Sequence, residues 1–389
     1  MILIKEKRDC CGCYACMLAC PQGCIEMQED SEGFLYPNIH KEKCINCGIC
    51  EKVCPVLQVR PEPKNKTPDA YAAINQDESV RLQSSSGGVF SLLAQWTIEN
   101  GGVVFGAAMS EDCRSVQHIK AENVQELKEL RGSKYLQSII GNTYCQVKKE
   151  LESGRKVLFT GTPCQIEGLK SFLQRSYENL LCVDLICHGV PSPLVWRTYL
   201  SEQENRAGAP ARRTFFRHKK YGWKTYALLL EFSNNKTYES ILSKDAFMQA
   251  FLQDACLRPS CHSCRFKKLN RVSDITIADY WGIQNQIPQM DDDKGTSLVL
   301  LHSAKGKEIF RSICENLSYQ KVDVKTAISG NPSMLTSVKP HKHRDEFFDH
   351  LGKVPFDVPV KRYASPSRSY YRKLKSGIRK IYTFLQDRV

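Results

Sequence analysis

A small cysteine-rich module followed by a larger mixed α/β domain (fold class α+β / α/β) is the architecture the sequence predicts, on three observations. Ten of the 19 cysteines lie between residues 10 and 54, eight of them in two copies of one string. A short stretch at 58–69 carries three prolines and alternating charge. From Ala70 onward, strand-like and helix-like patterns alternate. The 389 residues suffice for two or three domains with a sizeable core, and 42% hydrophobic residues excludes intrinsic disorder. No run of about 18 apolar residues exists, so a membrane-spanning segment is not expected. The first residues, MILIKEKRDC, hold no apolar stretch of the secretory kind. A cytoplasmic location is therefore expected, and metal binding rather than disulfide bonding for the cysteines.

Cys10, Cys13, Cys16 and Cys20 precede Pro21, and Cys44, Cys47, Cys50 and Cys54 precede Pro55, so the string CxxCxxCxxxCP repeats at an offset of 34 residues. Over about residues 1–58 the chain resembles a bacterial two-cluster ferredoxin. In this spacing a CxxCxxC turn wraps three corners of one 4Fe–4S cubane, and the fourth cysteine turns to the partner cluster. One cluster is thus expected on Cys10, Cys13, Cys16 and Cys54, the other on Cys44, Cys47, Cys50 and Cys20. Zinc would draw on two CxxC pairs from separate knuckles, a poor match to two complete copies. Cys11 and Cys24 fall outside both patterns and are expected as packed thiols. The module spans 1–57, and 58–69 forms an extended, exposed linker.

Beyond it AYAAI reads as a strand and SSSGGVFSLLAQWTIEN as a loop leading into a helix. GGVVFGAAM reads as a buried strand, SVQHIKA as the strand behind it, and ENVQELKEL as an amphipathic helix. Ser84 to Gly88 combine small hydroxyl and glycine residues at a helix start, which lets a phosphate approach; a capped helix without ligand has the same composition. Arg131 to Tyr135 read as a polar, basic turn.

RKVLFT then reads as a strand, with Thr162 as N-cap and Pro163 as first residue of a helix over QIEGLKSFLQ, and LLCVDLIC as the next strand. This is a βαβ unit, so its two strands are parallel. Cys164 starts the helix and Cys187, with His188, ends the second strand, at the sheet edge where open α/β sheets bind ligands. Cys261 and Cys264 form a further CxxC. These four suffice for a third cluster, as does a set in which Cys256 replaces Cys187 or Cys164. From spacing alone, a nucleophilic Cys164, a redox dithiol or half a zinc site also remain open.

In this order, the strings SSSGGVF, LRGSKYLQS, LFTGTPCQIEGL, DLICHG, CHSCRF and SDITIADYWG resemble the coenzyme F-420 hydrogenase/dehydrogenase beta-subunit family, over about residues 1–300 with the module included. The resemblance implies a flavin (FAD or FMN) beside one 4Fe–4S cluster, and so three clusters in all. It implies Cys164, Cys187, Cys261 and Cys264 as ligands of the third. Ser85, Ser86, Gly87 and Gly88 match the flavin contacts, Lys134 and Tyr135 the stretch bordering the ring, and Asp279 a polar residue near the site. Lys134 and His188 are the candidate catalytic residues, although a packed histidine is the commoner meaning of His188. The implied function is a flavin and iron–sulfur oxidoreductase that converts two-electron to one-electron transfer, with a small organic substrate or a redox partner protein. The alternative is an electron-transfer subunit with no substrate of its own. The implied family domains cover 70–150 and 151–340.

Two basic segments remain. Residues 212–224 hold seven basic groups counting His218, and read either as an anion site or as a solvated hairpin continuing through a turn at Asn234 and Asn235. From Lys361 to Val389, nine Lys/Arg stand against Asp387, while Tyr370, Leu374, Ile378, Ile381 and Leu385 recur at helical spacing. Such a basic helix, within a tail at 341–389, lies on an anionic membrane surface or docks on protein. Each oxidised cluster with four thiolates carries about −2, which offsets much of the formal +13. Nucleic acid is therefore not expected as a partner.

Overall fold

The computed structural model describes residues 2–58 and 67–364. In the module, both copies of the cysteine string fold alike. Gly12 (φ +66°) and Tyr14 (φ +68°) in the first, and Asn46 (φ +54°) and Gly48 (φ +74°) in the second, take left-handed backbone at matching places. Each string therefore curls and then enters a one-turn helix, Ala15–Leu18 or Ile49–Lys52, which carries its third cysteine. Between the copies lies an antiparallel hairpin of β1 (Ile25–Glu29) and β2 (Leu35–Ile39).

The body is built on one sheet of eight strands. In chain order they are β3 (Asp69–Asn75), β4 (Val103–Met109), β5 (Val116–Ala121), β6 (Val157–Gly161), β7 (Leu180–Leu185), β11 (Ile275–Asp279), β12 (Ser297–Leu301) and β13 (Leu317–Val322). Their spatial order is β13-β3-β12-β11-β7-β6-β4-β5. The four central strands β11, β7, β6 and β4 run parallel, and the strands outside them pair antiparallel. Central strands such as Val157-Leu158-Phe159 are buried on both faces, as parallel strands between helices must be. The expected βαβ unit is β6, helix Pro163–Leu173 and β7. Stretches 70–150 and 151–340 both contribute strands to this one sheet, since β3 lies between β12 and β13.

A second sheet, β10-β9-β8, is formed by β8 (Ala211–His218), β9 (Ala227–Phe232) and β10 (Thr237–Ile241), with Asn235 at φ +64° in the expected turn. Register slips between Phe215 and His218. The slip lets two successive residues, Phe216 and Arg217, both be buried.

Three expectations change. ENVQELKEL is helical only over Leu127–Leu130, because Asn123 and Glu126 fold the preceding residues into a side-chain-bonded turn. A helix over Glu78–Gln83, N-capped by Asp77, precedes the serines and was not expected. Residues 341–364 are no free tail: helices Arg344–His350 and Asp357–Tyr363 bury Phe347, Phe356 and Val360 in the core of the body. The basic stripe from Tyr370 onward and most of the linker lie outside the described residues. No helix among the described residues is long and apolar enough to cross a membrane.

Candidate functional site

In the module, Cys10, Cys13, Cys16 and Cys54 line one small cavity, and Cys20, Cys44, Cys47 and Cys50 line another. The crossing of the fourth cysteine is thus a property of the fold. Burial pushes the Cys10, Cys16 and Cys54 thiols up, so a thiolate there needs positive charge inside the cavity. Cys24 borders the second cavity with its Sγ 3.3 Å from that of Cys20. Cys11 borders the first and faces Cys13 and Cys164.

The module is docked on the body. Gly168, in the helix that begins with Pro163, abuts the first cysteine loop so closely that a Cβ there would stand 2.7 Å from Cys13 Cβ. Arg344 holds Glu32 through two bonds of 2.7 and 2.6 Å, and Arg265 donates to Val56 O at 2.9 Å.

A third cavity, about 350 Å³, lies where module and body meet. Around it stand Cys164 at the helix start, Cys187 beyond β7, and Cys261 and Cys264 in and after the turn Pro259–Ser263. The four thiols sense one another: Cys187 is pushed well up by burial and then by Cys261, Cys164 and Cys264. Cys164 is instead lowered to about 7, chiefly by its hydrogen bond with Cys11, with Thr162 assisting. Cys256 is not on this wall; it is fully buried in the body core, one residue before a backbone bridge to Pro191. Among the described residues no three His, Cys, Asp or Glu side chains converge on one point as a single ion requires. The four thiols ring a cavity instead, with the cations Arg258, Lys267 and Arg271 around it. That donor set suits a sulfur-ligated, anionic cluster.

Beside it opens a larger cavity of about 630 Å³ at the carboxyl ends of β6, β7 and β11. The two share Cys187, His188 and Thr162 on their common wall. Ser84, Ser85, Ser86 and Gly88 border the large cavity, while Gly87 is set back: a Cβ there would meet Ala73 O at 2.3 Å, so this glycine serves loop packing on β3 and β12. The Ser85 hydroxyl bonds Ser133 and the Ser86 hydroxyl donates to Thr296 O. Lys134 Nζ donates to the carbonyls of Glu129 and Arg131, at 2.8 and 2.9 Å, and burial lowers it to about 7. Tyr135 packs on Phe251, ring centroids 4.8 Å apart. His188 Nε2 bonds Asp254 at 2.6 Å. Asp279 is engaged by Arg217 Nη1 and by Trp223 Nε1.

Three residues that sequence reasoning did not single out also matter here. Arg217 borders the large cavity, and among the described residues its buried Nε and Nη2 have no hydrogen-bond partner. These two form one edge of the guanidinium, the edge that takes a carboxylate or phosphate side-on. His118 donates from Nε2 to Thr160 O at 2.9 Å, which leaves Nδ1 a buried acceptor without a hydrogen-bond partner among the described residues. Burial brings its pKa down to about 4. Arg258, fully buried, joins module to body. Only for Arg217 was there a signal, the basic run 212–224.

Residues 154–326 match the family described as the C terminus of the coenzyme F420 hydrogenase/dehydrogenase beta subunit, and residues 9–57 and 40–117 match 4Fe–4S dicluster domains. A coenzyme F420-dependent sulfite reductase of Methanocaldococcus jannaschii is 26% identical over 203 residues, 51% of this chain and 30% of that protein. Ferredoxin-1 of Caulobacter vibrioides is 33% identical over 67 residues, 17% of this chain and 55% of its own length. The F420-reducing [NiFe] hydrogenase complex of Methanosarcina barkeri contains a chain 16% identical, with a TM-score of 0.45 over 78% of this chain and 94% of that one. The chain spans about a third to three-fifths of the curated relatives it matches first. The matches bear out the resemblance read from the motifs: the body is similar to that family's C-terminal segment, and the module to 4Fe–4S dicluster domains.

Proposed function

From a chain that joins a 4Fe–4S dicluster module to a segment of the coenzyme F420 hydrogenase/dehydrogenase beta-subunit family, we propose a flavin-dependent iron–sulfur oxidoreductase that couples two-electron chemistry in the large cavity to one-electron transfer through three 4Fe–4S clusters. The observation that carries this reading is continuity. The first module cavity and the third cavity share Asp9, Cys11 and Val56, and the third and the large cavity share Cys187 and His188. Cys10, Cys13, Cys16 and Cys54 would hold one cluster, Cys44, Cys47, Cys50 and Cys20 the second, and Cys164, Cys187, Cys261 and Cys264 the third. The large cavity has the size and mixed lining of a cofactor site and would hold FAD or FMN. A flavin supplies hydride chemistry and single-electron exchange, and the clusters carry one electron each.

The protein's own part is to bind, orient and shield. Arg217, braced by Asp279, offers its unpaired edge to an anionic group of cofactor or substrate. Tyr135 and Phe251 form an aromatic wall, and Trp223 stacked on Trp281 at 4.7 Å closes another side against water. His188, held by Asp254, keeps a proton at Nε2 on the wall shared with Cys187. At the far end, Cys47 and Ile45 are exposed, which supports access by a redox partner protein to the second cluster. That exposure also favours the second reading, an electron-transfer subunit that serves a partner enzyme.

Anaerobically purified protein tests the proposal. Broad absorption near about 400 nm, about twelve irons per chain and extractable flavin are expected. Colourless protein with stoichiometric zinc would overturn it. Stopped-flow mixing with small reductants separates the two readings: bleaching of the flavin without any partner supports the oxidoreductase, and bleaching only through a partner supports the subunit.

A further inference from the structure

Arg258 is among the largest fully buried side chains, with no exposed surface. Its guanidinium sits between module and body. Nε donates to Cys10 O at 2.9 Å, Nη2 to Leu35 O at 3.0 Å, and Nη1 to Gln137 Oε1 at 2.8 Å. The glycine at position 12 makes room for it, since a Cβ there would stand 3.0 Å from Nη1. All three acceptors are neutral. Among the described residues no carboxylate pairs with Arg258, unlike the buried Arg217 and Arg271, which have Asp279 and Asp184. A buried cation without an anion is costly to keep, so such a charge points to a missing counter-charge.

The groups that face Arg258 identify that counter-charge. Its Nε–H is taken by the carbonyl of Cys10, and Cys10 and Cys11 border the first module cavity. Its backbone N–H bonds Val190 O, and its own carbonyl accepts the N–H of Cys261, both at 2.9 Å. It also lines the cavity of Cys164, Cys187, Cys261 and Cys264. The cavity of Cys20, Cys44, Cys47 and Cys50 is bordered by other residues.

We propose that Arg258 is a shared counter-ion and potential-setting residue for two of the three clusters, the one on Cys10, Cys13, Cys16 and Cys54 and the one on Cys164, Cys187, Cys261 and Cys264. It rests on the reading that these thiols hold 4Fe–4S clusters. When such a cluster takes up one electron, one ferric equivalent becomes ferrous and the site gains one negative charge. A fixed cation beside it favours the reduced form. Its loss moves the potential down, and the second module cluster, away from Arg258, stays where it was.

The test is a dithionite titration of the full chain, followed by electron paramagnetic resonance, for the wild type, Arg258→Lys and Arg258→Gln. Arg258→Gln is expected to be at least tenfold harder to reduce at two clusters, about 59 mV each for a one-electron couple, with the cluster on Cys20, Cys44, Cys47 and Cys50 unchanged. Arg258→Lys, which keeps the charge but not the fork, is expected to stay close to wild type. Should Arg258→Gln fail to accumulate, Gln137→Glu replaces it; it leaves the guanidinium in place and pairs it with a carboxylate, and the same two potentials are expected to fall. Full iron content with all three potentials unmoved in the charge-altering variant overturns the counter-ion role and leaves the cluster reading standing. A wild-type chain without iron overturns both.

Discussion

Cys164 and Cys256 show how much a single residue's surroundings decide. Both are buried or nearly so, but only Cys164 faces the third cavity. Cys164→Ser is expected to lower iron from about twelve to about eight per chain, read by iron assay. Cys256→Ala should keep about twelve irons while losing about 1–2 kcal/mol of stability through the cavity it leaves, read by denaturant titration. His118 gives a pH dependence. Folded, it stays neutral down to about pH 4; unfolded, it takes up a proton near 6.5. Between those values the unfolded chain binds more protons, so stability falls as pH drops through that window and is untouched above it. The effect reaches about 3 kcal/mol at the acid end. In His118→Gln, melting temperatures measured across the window should show a shallower slope.

At the level of elements, helix Pro163–Leu173 performs three tasks. Thr162 and Gln165 close its first turn in a capping box, its start carries Cys164, and Gly168 admits the first cysteine loop. The sequence made the cap and the cysteine legible, because both follow from neighbours in the chain. Gly168 was not legible, since only the docked module shows what a methyl group would strike. Gly168→Ala is expected to cost about 1–3 kcal/mol by overpacking, and to loosen the module. A lower melting temperature, with faster proteolytic release of a fragment near residues 1–58, would report both. The bulge in β8 is a similar case. The basic run 212–224 was visible as composition, but the slip that buries Arg217 against Asp279 depends on pairing with β9.

Over the whole molecule, module and body form one unit through buried polar bonds as well as apolar packing. Arg344 and Glu32 lie 312 residues apart yet bond twice, with side chains 10% and 17% exposed. Glu32→Ala leaves a nearly buried guanidinium with the Leu257 carbonyl and, 4.0 Å away, the exposed carboxylate of Asp345, and is expected to cost about 3 kcal/mol. Arg344→Met in the same chain should recover part of that loss, and chemical denaturation of both variants checks it.

The sequence by itself determined what is local. Two copies of one cysteine string set how six thiols curl in two loops, and strand–helix–strand periodicity set a parallel pair with Cys164 and Cys187 at its carboxyl edge. Short-range geometry suffices for these, because spacing along a turn or a strand fixes direction. Tertiary structure alone decided which distant groups that spacing left open share a cavity: Cys164 and Cys187, rather than Cys256, with Cys261 and Cys264, and it set Arg258 against Cys10 across 248 positions. Strand order in the large sheet departs from chain order, and the close fit of one buried charge to several loops has no periodic trace in the chain. It exists only once the sheet has brought those loops to one edge.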